Sequence, residues 1–531
     1  MPPSPSAAVV DAPLPPTNPI GRGLTLLTLV ALALRVAFVL LEPANRLAGD
    51  EFTWTGWAWG EIEGLTSARV AFSPFRSEMI FYPPLYAYFL AASRVLLGSV
   101  TAVKLLQALL SALLVPAIGR IGILLSGRRA GLIAAAWVAF YPELIWYAAH
   151  FWCETLFLML TWWSFDRLLT YDVCVPGERI PSGRGARWVR VAVVGLLPLA
   201  ALRLIWGHRL EAVAGAALLL LVFVGVLGLW RLLARDDAAL DAAAVAGGLW
   251  GLATLTRETL IYFAPAVLLW LLWRRRDGLA RAAAFAIPLV LVVAPWTYRN
   301  YVVTHAFVPV ATSGALNLWQ GNTSVPREQV YALSEAVRGP GHVRIAQYRY
   351  HWSMALEAIR ERQPRWLLDK LAAEMPTFWE ADSLVLIHLT LKHAYGPFHP
   401  AMACAVAVVV VLPYLALLAL GLVGALHLRV GRATLLLLGF LVYYNLIHVV
   451  THGFSRYRLP VLPVVFCIAA LAMAGKHGHS ALTPTRRRQL CVAFLGVILA
   501  LSLLPSLSRL ASELAVRQPD AEAVGPGGVR R

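Results

Sequence analysis

Carboxylates in this sequence lie where long apolar runs end. The stretch LAGDEFTWTGWAWG, residues 47–60, follows the first apolar run and places Asp50 and Glu51 side by side among three tryptophans. Adjacent side chains diverge on any regular element, so at most one of these carboxylates is expected to face a given site. That carboxylate could serve as a general base at a membrane surface. The alternative is that both are solvated and cap a helix lying in the interface.

A second connection, YPELIWYAAHFWCETLF, holds Glu154 just inside an apolar run. An ionisable group at that depth is costly and usually has a task or a partner. His150 precedes Glu154 by four residues, which places both on one face of a continuous helix. A His–Glu pair could bind a divalent cation, but two ligands do not make a metal site, and a core histidine is the alternative. The pattern therefore requires no cofactor and leaves a divalent metal undecided.

Three further connections carry arginines, and they read GLATLTRETLIYFAP, APWTYRNYVV and HGFSRYRLPVLP. A guanidinium stays charged and matches phosphate oxygens in pairs, so arginines beside acidic residues predict an anionic ligand at the lipid surface. The alternative for each arginine is snorkelling or pairing with the first-loop carboxylates. The polar residues of these connections are Arg257, Glu258, Arg299, Asn300, His452, Arg456, Tyr457 and Arg458.

A carboxylate base and several arginines at one membrane face fit one class of reaction. The arginines would hold a lipid-linked phosphate, and a carboxylate opposite them would deprotonate the nucleophile that attacks the group on that phosphate. This is glycosyl transfer from a polyprenyl-phosphate donor with inversion. The predicted catalytic residues are Asp50, Glu51 and Glu154; the predicted phosphate ligands are Arg257, Arg299, Arg456, Tyr457 and Arg458; the predicted acceptor or substrate pocket holds Tyr82, His150, Asn300 and Asn317.

The composition indicates the class of protein in which these residues lie. Of the 531 residues, 59% are hydrophobic and 14% are charged, whereas a soluble domain is about half apolar and about a quarter charged. Apolar runs of about twenty residues recur along the chain, which is typical of an all-α polytopic membrane protein. The net charge of +17 is explained by arginines in short cytoplasmic connections rather than by nucleic-acid binding, since no basic stretch carries a nucleic-acid motif.

About thirteen membrane spans are predicted, and clusters of arginine fall in alternate connections. If those connections are cytoplasmic, the N-terminus lies inside, the C-terminus lies outside, and the carboxylates and arginines described above share the outer face. The predicted spans are 22–41, 100–124, 131–148, 152–170, 191–206, 213–233, 240–256, 259–273, 279–297, 401–427, 434–451, 457–474 and 488–508.

The spans divide the chain into regions. Segment 82–98 is apolar but opens with two prolines, and we predict that it is an interfacial helix, because a span there would reverse every later connection. Two amphipathic helices that break near Pro364 are predicted in the large outer loop. The regions are a disordered cytoplasmic tail 1–21, a transmembrane core 22–297 with its catalytic first outer loop 42–99, an extracytoplasmic loop 298–400, C-terminal spans 401–508 and a flexible extracytoplasmic tail 509–531.

Six stretches, in order along residues 22–475, resemble the GT-C superfamily of membrane glycosyltransferases. They are GDEFTW, YPPLYAYFLAA, YPELIWYAAHFWCETLFLML, GLATLTRETLIYFAP, APWTYRNY with GALNLWQGN, and FSRYRLPVLP. Within the superfamily, the sequence resembles bacterial members of glycosyltransferase families 39 and 83. These include protein O-mannosyltransferases and lipid A aminoarabinose transferases, and thirteen spans look like the latter.

This resemblance implies a polyprenyl- or dolichyl-phosphate sugar donor and an active site on the outward face of a bacterial inner membrane. It makes Asp50 the favoured base and places Glu154 at a second acidic position. Arg299 and the group Arg456–Arg458 match positions that meet the donor phosphate. The acceptor is a lipid, a glycan or a protein, although the large outer loop lacks the β-rich domain of eukaryotic protein mannosyltransferases. A metal is seen in some relatives, but the sequence offers no clear ligand set for it.

Two other functions compete with the transferase. A lipid-linked-sugar flippase or transporter predicts charged groups near the bilayer midplane and broken helices in paired halves. An O-antigen-ligase-like glycan ligase predicts an arginine-rich outer loop and a diphosphate-linked donor. The transferase differs from both in requiring Asp50, Glu154, Arg299 and Arg456 or Arg458 around one cavity that opens outward.

Overall fold

The computed structural model of the protein confirms the predicted all-α membrane fold. The described residues are 85% helical and contain no strand. Within them, seven helices are long and apolar enough to cross a membrane, or eight if a bent pair counts as one span. The predicted spans 191–206 and 213–233 lie outside the described residues, so the number thirteen stays a prediction. The structure describes residues 19–42, 50–63, 80–172, 237–273, 276–339, 341–381, 383–386, 388, 400–474 and 485–516.

The helices follow the predicted spans closely. The first group comprises α1 (Pro19–Leu41), α2 (Asp50–Glu63), α3 (Leu85–Leu97), α4 (Val100–Ala112), α5 (Leu114–Ser126), α6 (Arg128–Phe140), α7 (Pro142–Ala149) and α8 (Glu154–Asp172). Next come α9 (Ala238–Thr256), α10 (Ala264–Leu272) and α11 (Gly278–Thr304). The last group comprises α16 (Pro400–His427), α17 (Arg432–Val450), α18 (Leu462–Ala474) and α19 (Arg486–Val516). All four are apolar, and α18 is shorter than the other three.

The segment between α11 and α16 is helical, as the sequence predicts. It contains α12 (Ser313–Asn322), α13 (Arg327–Ala336), α14 (Val343–Glu361) and α15 (Trp366–Trp379). The last two are the amphipathic helices predicted on either side of Pro364. In addition, a 3₁₀ helix at Glu258–Phe263 follows α9 after Arg257, and another at Ser455–Arg458 follows α17 after the connection 451–454. Arg257 immediately precedes the first, and Arg456 and Tyr457 lie in the second, so the candidate site is built on tight turns near helix ends.

Close helix packing in the core depends on small residues. Along α9, Gly247 and Gly251 face α11, and a Cβ at Gly247 would lie 1.9 Å from the carbonyl oxygen of Phe285. Spacing of small residues by four lets two helix backbones approach within a membrane, where packing rather than the hydrophobic effect drives association. This contact fixes α9, and with it the position of Arg257 at its C-terminus.

A buried arginine stabilises the 48° bend between α6 and α7. Pro142 has no N–H, so it cannot donate to the carbonyl of Val138, four residues earlier. Arg35 of α1 supplies that bond: it donates to the carbonyls of Val138 at 2.9 Å and Ala139 at 3.0 Å, and to Ser111 Oγ at 2.7 Å. Arg35 was not singled out from the sequence, because a lone arginine within a span does not reveal its partners.

The stability of the α12–α14 layer should fall in mild acid. His351 is buried against Trp319, its Nε2 lies 2.8 Å from Ser334 Oγ, and burial, assisted by Arg344, lowers its pKa to about 4. The unfolded chain, with a histidine pKa near 6.5, therefore binds the proton more readily, so stability present above pH 6.5 is lost as the pH falls toward 4. Between about pH 7.5 and about pH 5.5 this one group should cost roughly 1 kcal/mol.

Thermal unfolding of the wild type and of His351→Gln at the two pH values tests this. Glutamine can still bond to Ser334 but cannot take up the proton. The acid-induced loss of stability should therefore be smaller in the variant, and an equal loss in both proteins would contradict the assignment.

Candidate functional site

The connections after α1, α7, α9 and α17 meet at one cluster of charges. Asp50, the first residue of α2, accepts a hydrogen bond from Arg456 Nη1 at 2.6 Å, although 406 residues separate the two. The Asp50 side chain is 45% exposed and that of Arg456 is 20% exposed. The Arg456 guanidinium lies over the ring of Trp152 at 4.9 Å and over that of Tyr457 at 5.1 Å. The pair therefore combines an accessible carboxylate with a cation held between aromatic rings.

A second ion pair lies beside the first. Arg257 Nη1 is 3.2 Å from Glu154 Oε1, and the Glu154 side chain is buried. The Arg257 guanidinium is 5.4 Å from the centre of the Tyr457 ring and 5.6 Å from that of Phe157. Tyr457 is thus shared by the two arginines, each of which has its own carboxylate. We call Asp50, Arg456, Glu154, Arg257 and Tyr457 the charge cluster.

Two histidines hold Tyr457 in place. Its ring stacks on His448 with centroids 4.3 Å apart, and its hydroxyl lies 3.3 Å from His452 Nε2. Burial, with Arg456 nearby, lowers the pKa of His452 to about 4, so this histidine is neutral at neutral pH. The backbone of Asn317, on α12, also lies beside His452. Asn317 thus reaches the edge of the charge cluster through its backbone.

The two adjacent carboxylates of α2 point to different places. Glu51 is buried and accepts a hydrogen bond from the backbone N–H of Phe151 at 2.8 Å, whereas Asp50 meets Arg456. Tyr82 lies beside α2, with the centre of its ring 5.5 Å from that of Trp54. Burial, and next to it the charge of Asp50, raise the pKa of Tyr82 above its ordinary value.

The predicted pairing of His150 with Glu154 is wrong, because the helix between them is broken. α7 ends at Ala149 and α8 begins at Glu154. His150 Nε2 instead lies 3.2 Å from Glu42 Oε1, whose other oxygen is 2.8 Å from Lys104 Nζ. Burial alone would raise the pKa of Glu42, but His150 and Lys104 outweigh it and lower the pKa to about 2. In the described part of the chain, no three His, Cys, Asp or Glu residues lie close enough to hold a metal.

Arg458 does not join Arg456 in the charge cluster. Three residues complete a turn of 3₁₀ helix, so side chains two positions apart point in different directions. Arg458 is fully buried, lies 3.3 Å from Glu143 Oε1, donates to the carbonyl of Glu380 and covers the ring of Tyr414 at 4.0 Å. These contacts join the 3₁₀ helix to α7 and α16.

Loss of the Arg458 side chain should destabilise the fold. Arg458→Met would leave the Glu143 carboxylate buried without its cation, which typically costs about 3–5 kcal/mol. Thermal unfolding in detergent should show a large decrease in midpoint, and the double variant Arg458→Met with Glu143→Gln should recover part of it. The matched control is Arg349→Gln, since Arg349 is exposed on α14; it should change stability by under about 1 kcal/mol. Equal decreases in Arg458→Met and the control would contradict this assignment.

Arg299 and Asn300 lie in a different set of contacts, on α11. Arg299 is buried, donates to Asn300 Oδ1 at 3.0 Å and lies 4.5 Å from the centre of the Trp296 indole. Asn300 donates to the carbonyls of Val308 at 3.0 Å and Val310 at 3.1 Å, which fixes the chain that leaves α11. These bonds stabilise the turn between α11 and α12.

The structure also adds residues that sequence patterns did not single out. Arg327 is exposed at the start of α13 and donates to Tyr331 Oη at 3.2 Å. The hydrogen bond with Tyr331 raises the pKa of Arg327, and Tyr457 and Asp50 are close enough to raise it further. Its only sequence signal is a polar helix start after Pro326, and many surface helices share that signal.

Comparisons with known proteins find similarity among solved structures alone. Neither a protein-family model nor a curated protein matches it, whereas 11 chains of solved structures do. The Archaeoglobus fulgidus oligosaccharyltransferase in its apo form is 16% identical, with a TM-score of 0.44, over 93% of this chain and 56% of that one. The same enzyme, AglB, with an inhibitory peptide and a dolichol-phosphate is 14% identical, with a TM-score of 0.43, over 95% and 58%.

This chain therefore spans just over half the length of the matched enzyme. The activity of this chain is therefore inferred from the side chains of the charge cluster and not from that enzyme.

Proposed function

We propose that the protein is an inverting glycosyltransferase that moves a sugar from a polyprenyl-phosphate donor to an acceptor. One observation carries the proposal: Arg257 and Arg456 both lie against the ring of Tyr457, and each is paired with its own carboxylate. Two guanidinium groups at this spacing offer a lipid-linked phosphate several N–H donors. The half-exposed Asp50 beside them offers a base for the attacking group.

The reaction follows from these positions. The acceptor nucleophile, for example a hydroxyl, attacks the anomeric carbon of the sugar and gives its proton to Asp50. The bond between that carbon and the phosphate oxygen breaks, and its electron pair leaves with the polyprenyl phosphate. Arg456 and Arg257 stabilise the charge that develops on the departing phosphate. Glu154 keeps Arg257 oriented, and Tyr457 keeps the two guanidinium groups apart.

An inverting displacement requires the base and the leaving group to lie on opposite faces of the anomeric carbon. The ion pair between Asp50 and Arg456, at 2.6 Å, must therefore open when the donor binds. Arg456 Nε is buried and has no hydrogen-bond partner among the described residues, and we infer that it meets the phosphate once this ion pair opens. Arg458 and Arg299 are not part of this phosphate site, because their bonds stabilise other parts of the fold.

We place the site on the extracytoplasmic face of a bacterial inner membrane, since the charge cluster lies in connections that alternate with the arginine-rich ones. The predicted regions 22–297 and 401–508 supply the cluster, and Asn317 and Arg327 of the predicted loop 298–400 lie near it. The predicted tails 1–21 and 509–531 lie largely outside the described residues, and their described parts, 19–21 and 509–516, belong to α1 and α19. A position at helix ends, rather than in mid-span, supports the transferase over the flippase or transporter.

The experiment uses the purified full chain in lipid nanodiscs. Polyprenyl-phosphate sugars are supplied singly, together with lipid, glycan or peptide acceptors, and the release of polyprenyl phosphate and the anomeric configuration of the product are measured. The proposal expects release with one donor and inversion of configuration. Consumption of a diphosphate-linked donor alone would favour the glycan ligase, and movement of intact donor across the bilayer without bond cleavage would favour the flippase.

A divalent metal is tested in the same assay by adding a chelator. The described residues offer no group of three metal ligands, and the steps above use only Asp50 and the arginines. The acceptor class is read from which acceptor gains the sugar.

A further inference from the structure

A buried lysine holds the connection that carries Arg456. The side chain of Lys370, on α15, is 4% exposed. Its Nζ donates to the carbonyl of Gly321 at 2.6 Å, to the carbonyl of Thr451 at 2.8 Å and to Glu374 Oε1 at 2.7 Å. An ammonium group has three N–H donors, so all of them are used within the protein. Lys370 is therefore occupied in joining helices rather than in contacting a ligand.

Glu374 extends the same arrangement to the next residues of the connection. Its second oxygen, Oε2, accepts a hydrogen bond from the backbone N–H of Gly453 at 2.6 Å. The pair Lys370–Glu374 thus joins three places: the end of α12 at Gly321, the end of α17 at Thr451, and the turn that begins at Gly453. Within α15 the two residues are one helical turn apart, so their spacing is fixed by the helix itself.

The contact of Lys370 and Glu374 with Gly321 and residues 451–453, which we call the junction, is tightly packed. A Cβ added to Gly321 would lie 1.7 Å from the carbonyl oxygen of Thr451, and a Cβ added to Gly453 would lie 2.4 Å from that of Glu374. Glycine is the one residue without a Cβ, so it alone allows the backbones to approach this closely. The two glycines and the buried ion pair therefore hold α12, α15 and the end of α17 in a single arrangement.

This junction lies directly before the charge cluster. Thr451 and Gly453 flank His452, whose Nε2 lies 3.3 Å from Tyr457 Oη. Arg456 follows Gly453 by three residues, donates a hydrogen bond to Asp50 and lies over the ring of Tyr457. A displacement of residues 451–453 would consequently move the guanidinium, and an error of about 1 Å in a catalytic group can lower a rate by about 10²-fold.

We propose that Lys370 and Glu374 are positioning residues, which hold residues 451–453 and thereby place Arg456 for the donor phosphate. The proposal rests on the proposed function for the identity of the ligand. It assigns the long segment between α11 and α16 a role in setting the phosphate site.

A double-mutant cycle with Arg456 tests the proposal. Lys370→Met in the full chain should lower kcat/KM for the polyprenyl-phosphate sugar by about 10- to 100-fold. In the Arg456→Lys background the same change should lower it by no more than about 2-fold, because the group that Lys370 positions is already altered. Gly321→Ala, which opens the junction without removing a charge, should show the same dependence on Arg456. A purely structural role would instead reduce the activity by an equal factor in both backgrounds, which would overturn the proposal.

A control variant and a substitute variant complete the double-mutant cycle. Asp369→Asn, an exposed change on the same helix, is the matched control and should leave kcat/KM unchanged. If Lys370→Met does not fold, Glu374→Gln replaces it in the cycle, since glutamine can keep one of the two hydrogen bonds. Loss of activity in Asp369→Asn equal to that in Lys370→Met would overturn the positioning role.

Hydrogen exchange separates failure of this proposal from failure of the proposed function. If no polyprenyl-phosphate sugar turns over in any variant, the transferase function fails by itself. Faster exchange of the amides of residues 451–458 in Lys370→Met, with unchanged exchange in α9 and α11, would then still support the positioning role. Unchanged exchange at residues 451–458 would overturn it.

Discussion

Asp50→Asn should lower kcat for sugar transfer by about 10³-fold, in the middle of the range for loss of a general base. Asparagine has nearly the shape of aspartate, and its side-chain oxygen can still accept the hydrogen bond that Arg456 Nη1 donates to Asp50. The fold should therefore be retained. The amide cannot take a proton from the attacking nucleophile, so the chemical step loses its base. Initial rates of donor consumption, with the amount of folded protein held equal, give the measurement.

Glu51→Gln is the matched control on the neighbouring position. Glu51 accepts a hydrogen bond from the backbone N–H of Phe151, and the side-chain oxygen of glutamine can accept the same bond. We expect kcat within a few-fold of the wild type. A reversed result, with Glu51→Gln inactive and Asp50→Asn active, would assign the base to Glu51 and remove Asp50 from the mechanism.

Much of the fold could be predicted from hydropathy and proline. The apolar runs gave helices close to α9, α11, α16 and α17, because a chain in lipid must satisfy its backbone hydrogen bonds within each segment. The break near Pro364 was predictable for a similar local reason. The bend after Phe140 was not predicted, since it depends on Arg35, which lies more than a hundred residues earlier and replaces the bonds that Pro142 removes.

The candidate site was predictable in its residue types but not in its partners. Positive-inside reasoning puts Asp50 and Arg456 on one face, but no local pattern indicates that they meet across 406 residues. Nor does composition separate Arg456 from Arg458, because the distinction comes from the 3₁₀ turn, which the sequence SRYR does not reveal. The helical face predicted for His150 and Glu154 is not formed, because the i to i+4 rule holds only along an unbroken helix.

Arg456→Lys should lower kcat/KM for the donor by about 10²-fold, mainly through weaker binding of the phosphate. Lysine keeps the positive charge but offers one ammonium group in place of the planar fork that can hold two phosphate oxygens. It also loses the stacking that places the Arg456 guanidinium over the rings of Trp152 and Tyr457. Steady-state kinetics with varied donor, together with direct binding of polyprenyl phosphate, measure the effect.

Arg458→Lys provides a comparison on the same 3₁₀ turn. The two arginines are separated by one residue, yet Arg458 is bound to Glu143 and to the carbonyl of Glu380. We expect Arg458→Lys to lower the unfolding midpoint while leaving the KM for the donor within about 2-fold of the wild type, because Arg456 and Arg458 bind different partners and lysine keeps the charge beside Glu143. Equal increases in KM for both variants would show that the turn acts as a unit, against the separation seen in their contacts.

Asp50→Asn and Arg456→Lys should change the affinity for polyprenyl phosphate in opposite directions. In the free protein the carboxylate of Asp50 occupies Arg456 Nη1, and the donor phosphate must compete for that guanidinium. A neutral amide competes less strongly than a carboxylate, since charge-assisted hydrogen bonds are about twice as strong as neutral ones. Asp50→Asn should therefore bind polyprenyl phosphate at least as tightly as the wild type, while Arg456→Lys binds it more weakly. Opposite shifts in affinity with a common loss of turnover are expected only if one residue is the base and the other holds the phosphate. Weaker binding in both variants would mean instead that the ion pair serves to shape the pocket.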